Sequence, residues 1–347
     1  MERQRKLSKN AWKWAFYDWA NSGFATTVMA GFFPIFFKSY WAGNLDAAES
    51  TFVIGSVNSL IGLLIAISAP ILGAIADAGK TKKKFLFIFA TLGILATGYL
   101  FFIPESSWKL AVLFYGLGVI GFSGGNIFYD ALIVSVSSPK ERNKTSSLGF
   151  SLGYLGGGIL FLFNVIMYLN PEWFGLTGPA DAVLWSFMSV AIWWLIFSMP
   201  LLLGVKERED SRVDKNKNVV GTAFSNLLNT ARSVRNYRKV VIFLFAYFLY
   251  MDGVDTIIRM ATSYGSDIGL SASSMISALL LTQFIGFPAT LVFGLYADKF
   301  GYKESLTFAI IVYIGVVLFS SQMDTAQEFF IVAGIIGLVQ GLSLIHI

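Results

Sequence analysis

Residues 12–41 read WKWAFYDWANSGFATTVMAGFFPIFFKSYW, an almost entirely apolar run that nevertheless carries an acid, Asp18, and an amide, Asn21, about one helical turn apart. A helix of about 20 apolar residues crosses the hydrocarbon core of a bilayer. Runs of that length recur along the whole chain of 347 residues, which is 55% hydrophobic and 14% charged. Because an average soluble domain has about 25% charged residues, the sequence predicts an all-α, multi-span membrane protein.

Ten membrane spans are predicted from the apolar runs. They cover residues 14–38, 52–76, 85–103, 109–134, 147–169, 182–204, 240–263, 272–296, 305–321 and 328–347. Of the 26 Lys and Arg residues, 23 lie before the first span or in the connections that follow the second, fourth, sixth and eighth spans. Cytoplasmic loops are enriched in Lys and Arg. The N-terminus and the connection 205–239 are therefore expected on the cytoplasmic side of the plasma (cell inner) membrane.

The composition excludes several classes of protein and site. The chain has no Cys, so disulfides and thiolate metal sites are excluded, and its one His is His346. The basic residues behind the net charge of +5 lie between the spans, which argues against a nucleic-acid surface. A membrane-embedded enzyme usually carries a cluster of His, Cys and acids, whereas the acids here are one to a span apart from a pair in the seventh. No metal, no cofactor and no enzymatic activity are expected.

The two halves of the chain repeat two patterns in the same order. An acid, two intervening residues, an amide or acid, and a hydroxyl occur in the first span and again in the seventh, at Asp18, Asn21 and Ser22 and at Asp252, Asp255 and Thr256. GAIADAGKTKKK (73–84) follows the second span, and GLYADKFGYK (294–303) follows the eighth. Such repeats indicate a duplicated unit. The expected domains are a six-helix bundle at 1–204, a cytoplasmic linker at 205–239, and a second bundle at 240–347 with four helices present.

The linker contains a segment with helical amphipathic spacing. Residues 222–238, TAFSNLLNTARSVRNYR, place apolar and basic positions at roughly helical intervals. A helix of this kind lies on the anionic inner surface of a bilayer. A solvated linker helix is an equally good interpretation.

The repeat resembles the major facilitator superfamily, in which the loop between helices 2 and 3 reads roughly G-x-x-x-D-(R/K)-x-G-(R/K)-(R/K). The first copy matches that pattern at Gly73, Asp77, Lys80 and Lys82, and the second at Gly294, Asp298, Lys299, Gly301 and Lys303. In the first copy Gly79 falls one place early and Ala78 replaces the usual base. The resemblance implies two six-helix bundles in a monomer, with both loops taking part in gating.

Longer stretches narrow the resemblance. They are WAFYDWANSGFATTV (14–28), the run from Phe128 to Ile159, and the run from Ala246 to Asp298. These are similar to the branch related to the fungal vacuolar amino-acid effluxers of autophagy and its compact bacterial members. The resemblance implies a secondary active transporter of a small solute, with amino-acid efflux as the suggested activity. A drug or sugar exporter of the same superfamily and a transporter-fold sensor remain alternatives.

Five ionisable residues lie inside the predicted spans: Asp18, Asp130, Asp252, Asp255 and Arg259. Each costs about 2.5–3.5 kcal/mol at the bilayer centre on insertion scales, so all five are expected to face a cavity or one another. Asp255 and Arg259 are four residues apart and can pair along one helix face; a structural pair and a functional pair are equally good interpretations. Asp18 and Asp252 occupy matching places in the repeat, which favours function.

The chemistry of these residues suggests a substrate and a coupling ion. Arg259 could hold a carboxylate in two hydrogen bonds while an aspartate holds an ammonium, which suits an amino acid. Asp18 or Asp252 could exchange a proton as the cavity opens to alternate sides. Asn21 accompanies Asp18 on this path, and Asp130, beside Tyr129, is either a gate contact or a proton site. The expected partners are a small solute, protons and the lipid bilayer.

The fifth span is rich in glycine, at Gly149, Gly153, Gly156, Gly157 and Gly158. Glycines let helices approach closely. The run also resembles the G-x-x-x-G-P-x-x-G-G motif of drug and proton antiporters, with Tyr154 in place of the proline. Helix packing is the favoured interpretation.

The last residues raise a separate expectation. A duplicated six-helix fold has twelve spans, so two further spans are expected after residue 347. The ending LSLIHI, Leu342 to Ile347, has the sequence that a transposase adapter used for sequencing libraries encodes. These six residues, His346 among them, are therefore expected not to be native.

Overall fold

The structure is a computed structural model that describes residues 7–207, 237–300 and 302–345, together with positions 221, 225, 229, 232 and 233. Ten long helices occur in these ranges: α1 Lys9–Trp41, α2 Ala47–Gly79, α3 Lys82–Tyr99, α4 Trp108–Ala131, α5 Arg142–Leu169, α6 Pro179–Gly204, α7 Arg238–Asp267, α8 Ala272–Phe300, α9 Tyr302–Ser320 and α10 Ala326–Ile345. Single helical turns add Leu100–Phe102, Ile133–Val136 and Pro171–Phe174.

The ten helices coincide with the ten predicted spans to within a few residues, and no strand occurs in the described ranges, so the all-α prediction is confirmed. Eight of the helices are long and apolar enough to cross a membrane, and Glu304–Ser320 and Ala326–Gln340 are shorter apolar segments. The surface helix expected over 222–238 lies mostly outside the described residues. Gly301, His346 and Ile347 lie outside them as well.

Contacts between helix ends separate the two sides of the molecule. Where α1 begins, Ser8 Oγ donates to the carbonyl of Val136 after α4 at 3.1 Å, and Lys13 Nζ donates to the carbonyl of Gly204 at the end of α6. Where α1 ends, Trp41 Nε1 donates to the carbonyl of Ile103 after α3. We refer to these as the N-terminal side and the opposite side; successive helices end on alternate sides, as spans must.

The first six helices pack into one bundle around aromatic side chains. Trp41, Trp194, Phe33, Phe161 and Phe187 are fully buried in its core. Helix α1 packs against α5 and α6, and α3 packs against α4. Since α1 crosses the middle of the bundle, its side chains on the remaining face point toward the second half of the chain.

Helix α1 is locally widened. The amide of Phe33 donates to the carbonyl of Val28, and the amide of Ala42 donates to that of Phe37, so both bonds reach five residues back instead of four. Segments of this type, at Phe24–Phe32 and Phe37–Trp41, make up much of the helix. Widened segments are rare in helices, and those that occur often lie at functional sites.

The second half contains α7 to α10. Helix α8 packs against α10 and, across the interface between the halves, against α5. Helix α7 contacts α1 near the opposite side and also contacts α2 and α8. Its most apolar window is largely exposed, with 6% of that window buried, against 83% for α1. The interface of α5 with α8 and the contact of α1 with α7 frame the space between the halves.

Candidate functional site

A cavity of about 280 Å³ lies between the two halves of the chain. Helices α1, α4 and α5 line it on one side, and α7, α8 and α10 line it on the other. Its polar lining residues are Asp18, Ser22, Thr26, Asn126, Thr262, Thr282, Gln283 and Gln340. The volume is near the lower end of small-molecule sites, which run from about 300 to 1,000 Å³.

Asp18 is the one charged side chain among the described residues that line this cavity. It is partly buried on α1, and its carboxylate interacts with the hydroxyl of Ser22 one turn further along. Gly153 of α5 lies against both: a Cβ at that position would be 2.7 Å from Ser22 Oγ and 3.1 Å from Asp18 Cγ. The space that the carboxylate occupies therefore exists because residue 153 has no side chain.

Asn21 lies behind the cavity wall. It is fully buried, and its Nδ2 donates to Oδ1 of Asn126 at 2.6 Å. Asn126 lines the cavity on α4. Because its carbonyl oxygen is engaged by Asn21, Asn126 keeps its NH₂ group as a donor for the cavity side.

Asp130 lies at the C-terminal end of α4, on the N-terminal side of the molecule and outside the cavity lining. Its side chain is exposed, and its charge is close enough to interact with that of Asp18. The neighbouring Tyr129 is held on α1: Trp14 stacks on its ring at 4.2 Å between centroids, and Trp14 Nε1 donates to its carbonyl at 2.8 Å. The structure thus fixes the end of α4 against α1 next to Asp130.

The three charged residues predicted on α7 are not among the cavity-lining residues. Arg259 Nε lies 2.7 Å from Asp255 Oδ2, so the ion pair expected from their spacing is present. Asp252 and Asp255 are exposed. The pair lies within electrostatic range of Tyr115, whose hydroxyl donates to Asn58 Oδ1 at 3.0 Å.

The face of α7 that lines the cavity is a different one. It carries Ile257, Ile258, Ala261 and Thr262. Since successive residues on a helix are turned by about 100°, this face does not include Arg259. The structure therefore brings Asp18 into the cavity and leaves Arg259 out of it.

The first of the two predicted gating loops is a compact turn on the N-terminal side. Asp77, in the last turn of α2, forms an ion pair with Lys82, at the start of α3, at 2.6 Å. Lys80 ends α2 with a left-handed backbone, at φ 53°. Gly73 lies one turn before Asp77, and nothing lies within 4 Å of the position that a Cβ would take there. The ion pair ties the end of α2 to the start of α3.

The second predicted gating loop is only partly described. Gly294, Asp298 and Lys299 belong to the last turns of α8. Gly301 lies outside the described residues.

The glycines of α5 face helix α1. A Cβ on Gly149 would be 2.9 Å from the ring of Trp14, one on Gly156 would be 2.7 Å from the backbone oxygen of Trp19, and one on Gly157 would be 3.0 Å from that of Ser22. Gly158 points to Gln283 of α8 instead. The glycines let α5 lie close to α1 and, at one position, to the second half of the chain.

The two halves are joined on the opposite side by a group of polar contacts. Lys38 of α1 donates to Asp267 Oδ1 at 2.6 Å and to the carbonyl of Ser263 at 3.2 Å, both on α7. Thr51 of α2 donates to the other carboxylate oxygen of Asp267 at 3.1 Å. Deeper in, Thr262 Oγ1 donates to the carbonyl of Ala30 at 2.8 Å. We call Lys38, Thr51 and Asp267 the latch.

This bond from α7 is made in the widened part of α1, close to a proline. Pro34 has no amide hydrogen, so one backbone carbonyl in the turn before it has no helical donor. Ala30 lies in that turn and lines the cavity, and its carbonyl accepts from Thr262 of α7.

Residues 40–342 match the family model described as "Vacuole effluxer Atg22 like". The chain belongs to this family. It is 38% identical over 340 residues to the uncharacterized MFS-type transporter YxiO of Bacillus subtilis, covering 97% of this chain and 79% of YxiO. It is 22% identical over 270 residues to autophagy-related protein 22 of Kluyveromyces lactis, covering 72% of this chain and 53% of that protein.

Solved structures of the major facilitator superfamily (MFS) have the same fold. The proton:xylose symporter XylE bound to 6-bromo-6-deoxy-D-glucose superposes with a TM-score of 0.65 at 15% identity, covering 97% of this chain and 80% of XylE. A bacterial homologue of the human lysosomal transporter Spinster gives 0.55 at 15% identity, covering 97% and 73%. The prediction of a major facilitator fold is confirmed, and this Atg22-like chain is a multi-pass membrane transporter, not an enzyme.

Proposed function

We propose that this Atg22-like chain exports a small solute by alternating access of the central cavity, and that it exchanges the solute for a proton at Asp18. The observation that carries the proposal is the single carboxylate in the described lining of the cavity. In a site of low dielectric an anion is stabilised by a proton or a cation. When the cavity opens to the other side of the membrane, a proton at Asp18 can be replaced by a cation, or the cation by a proton.

The contacts between the halves support alternating access. The latch joins α1 and α2 to α7 on the opposite side. Small differences in the packing of two bundles can exchange such a closed side for an open one. Breaking the latch would open the cavity to the opposite side.

An amino acid is the solute class that the resemblance to the vacuolar effluxers suggests. The family description, a vacuole effluxer, supports export as the direction. A sensor built on the same fold would bind its solute without moving it, so flux in a purified system separates the two functions.

The test is solute flux in proteoliposomes that contain the purified chain. A pH gradient should drive accumulation of radiolabelled amino acids, and a protonophore should abolish it. Asp18→Asn should lower the driven flux by about tenfold or more, because a contact to a charged group contributes about 1.5–3 kcal/mol and 1.4 kcal/mol is about tenfold. Glu172→Gln, in the exposed turn after α5, removes the same charge away from the cavity and should not change it.

Two outcomes would reject the proposal. Gradient-driven flux that is undiminished in a well-folded Asp18→Asn variant would remove Asp18 from the mechanism. Solute binding without flux at any gradient would favour a sensor.

A further inference from the structure

The described residues that line the cavity include one acid, Asp18, and no base. A cationic group on a solute therefore has an acidic partner in this lining, whereas an anionic group has no basic one.

Three basic side chains of α1 and α7 are engaged elsewhere. Arg259 pairs with Asp255 on a face of α7 that does not line the cavity. Lys38 is bound to Asp267 in the latch. Lys13 donates to the carbonyl of Gly204 on the N-terminal side. In the described part of the chain, a carboxylate on the solute finds neutral donors such as the amide of Asn126, and no cation.

The rest of the lining suits a positively charged group with a hydrocarbon body. Aromatic rings of Phe122, Phe150 and Tyr154 line the cavity on the same side as Asp18. Ammonium groups are attracted to ring faces by about 0.5–2 kcal/mol. Across the cavity, Ile257 and Ile336 are two of the apolar side chains that α7 and α10 supply for a hydrocarbon group.

We propose that the cavity recognises its solute by a positively charged amine at Asp18 and does not recognise a carboxylate, so that amines and amino-acid amides bind more tightly than the corresponding amino acids. The inference rests on the proposed function and specifies the class of solute. A zwitterion gains the contact of its ammonium with Asp18, but its carboxylate is desolvated without a cationic partner. Removal of that carboxylate therefore increases affinity.

The test compares ligands that differ only in charge, using the purified full chain. Leucine, leucinamide, isoamylamine and N-acetylleucine share one side chain, and phenylalanine, phenylalaninamide, phenethylamine and N-acetylphenylalanine form a second series. Affinities are measured by isothermal titration calorimetry. The amide and the amine of at least one series should bind about tenfold or more tightly than the amino acid, a difference of about 1.4 kcal/mol, and the acetylated anion should bind least.

Two variants and one control variant test the assignment to these residues. Asp18→Asn should abolish the preference for amines, whereas Glu172→Gln should keep it. Gln283→Lys adds a cation to the lining on α8 and should shift the preference by about tenfold or more toward the amino acid, because its carboxylate then has a charged partner. A gain of amino-acid affinity cannot result from misfolding, so this variant keeps the inference testable even if Asp18→Asn folds poorly.

Equal affinity for leucine and leucinamide and for the phenylalanine pair would overturn the inference, and so would the failure of every amine to bind. Neither result would reject the proposed exchange of solute for proton, which depends on gradient-driven flux. Loss of gradient dependence with the amine preference intact would reject the exchange and leave the assigned solute class standing.

Discussion

At the scale of residues, the position of Asp18 depends on the glycine opposite it. A Cβ added to Gly153 would lie 2.7 Å from Ser22 Oγ, closer than unbonded atoms approach, so Gly153→Ala should move Ser22 and the carboxylate that interacts with it. Overpacking of this kind costs about 1–3 kcal/mol. We expect lower flux and a lower Tm, measured by proteoliposome transport and by differential scanning fluorimetry.

The matched control is Gly62→Ala on α2, where nothing lies within 4 Å of the added Cβ. It should leave both flux and Tm near those of the unmodified chain. Full flux in Gly153→Ala would show that the cavity tolerates a shift of Asp18 and Ser22.

The sequence predicted part of the cavity lining. Asp18 was evident as an acid in an apolar run, and the structure places it in the cavity. Its repeat partner Asp252 does not line the cavity, because a repeat in the sequence fixes equivalent positions along two helices and does not fix the neighbours that surround them. Asn126, Gln283 and Gln340 were missed, although amide side chains within apolar runs were an available signal.

At the scale of helices, the crossing of α3 and α4 is the tightest glycine contact in the described structure. A Cβ on Gly121 would lie 2.3 Å from the backbone nitrogen of Gly93 and 2.4 Å from its Cα. Backbone atoms cannot move away by a change of rotamer as side-chain atoms can, so the two helices would have to separate. Gly121→Ala should lower the Tm of the purified protein more than Gly153→Ala does, and a Tm equal to that of Gly62→Ala would contradict this crossing.

The latch joins the two halves of the chain on the opposite side, and we expect it to hold that side closed. Lys38 is 11% exposed and Asp267 34% exposed in the ion pair, so removing one charge should shift the balance between closed and open by about 1 kcal/mol, or about fivefold. The chain has no native cysteine. A cysteine at Thr26, in the cavity wall, should therefore react several times faster with an impermeant thiol reagent applied to the opposite side once Asp267→Asn is added.

A charge exchange provides the control for the latch. The double variant Lys38→Asp, Asp267→Lys keeps one charge of each sign at the contact and should bring the labelling rate back toward that of Thr26→Cys alone. If Asp267→Asn leaves the rate unchanged, the latch does not hold the opposite side closed.

The helices themselves were predicted well because hydropathy reports burial in lipid, and every long apolar run became a helix. The widened segments of α1 were not predicted. Hydropathy does not distinguish hydrogen bonds that reach four residues back from bonds that reach five, so the sequence pattern contains no signal for these segments. The bond from Thr262 to Ala30 was partly predictable, because Pro34 must leave a carbonyl without its helical partner.

At the scale of the whole molecule, the orientation in the membrane is predicted from the unequal distribution of Lys and Arg between the two sides. The structure places the start of α1, the turn after α2 and the ends of α4 and α6 on one side, since Ser8 bonds to Val136, Lys13 to Gly204, and the amide of Lys83 to Glu207. Basic residues are concentrated on that side. The fold alone is compatible with either orientation, and the enrichment of cytoplasmic loops in Lys and Arg predicts that this side is cytoplasmic.

The orientation can be tested by labelling single cysteines in intact cells, since the chain has none of its own. Thr81, in the turn after α2, and Ser146, in the first turns of α5, should be labelled by an impermeant thiol reagent only after the membrane is opened. Ala47 and Thr177 are exposed on the opposite side and should be labelled in intact cells. Four positions on two sides must change together if the orientation is inverted, because the helices between them are fixed in one bundle. Labelling of Thr81→Cys in intact cells, with Ala47→Cys protected, would therefore invert the orientation and place the latch on the cytoplasmic side.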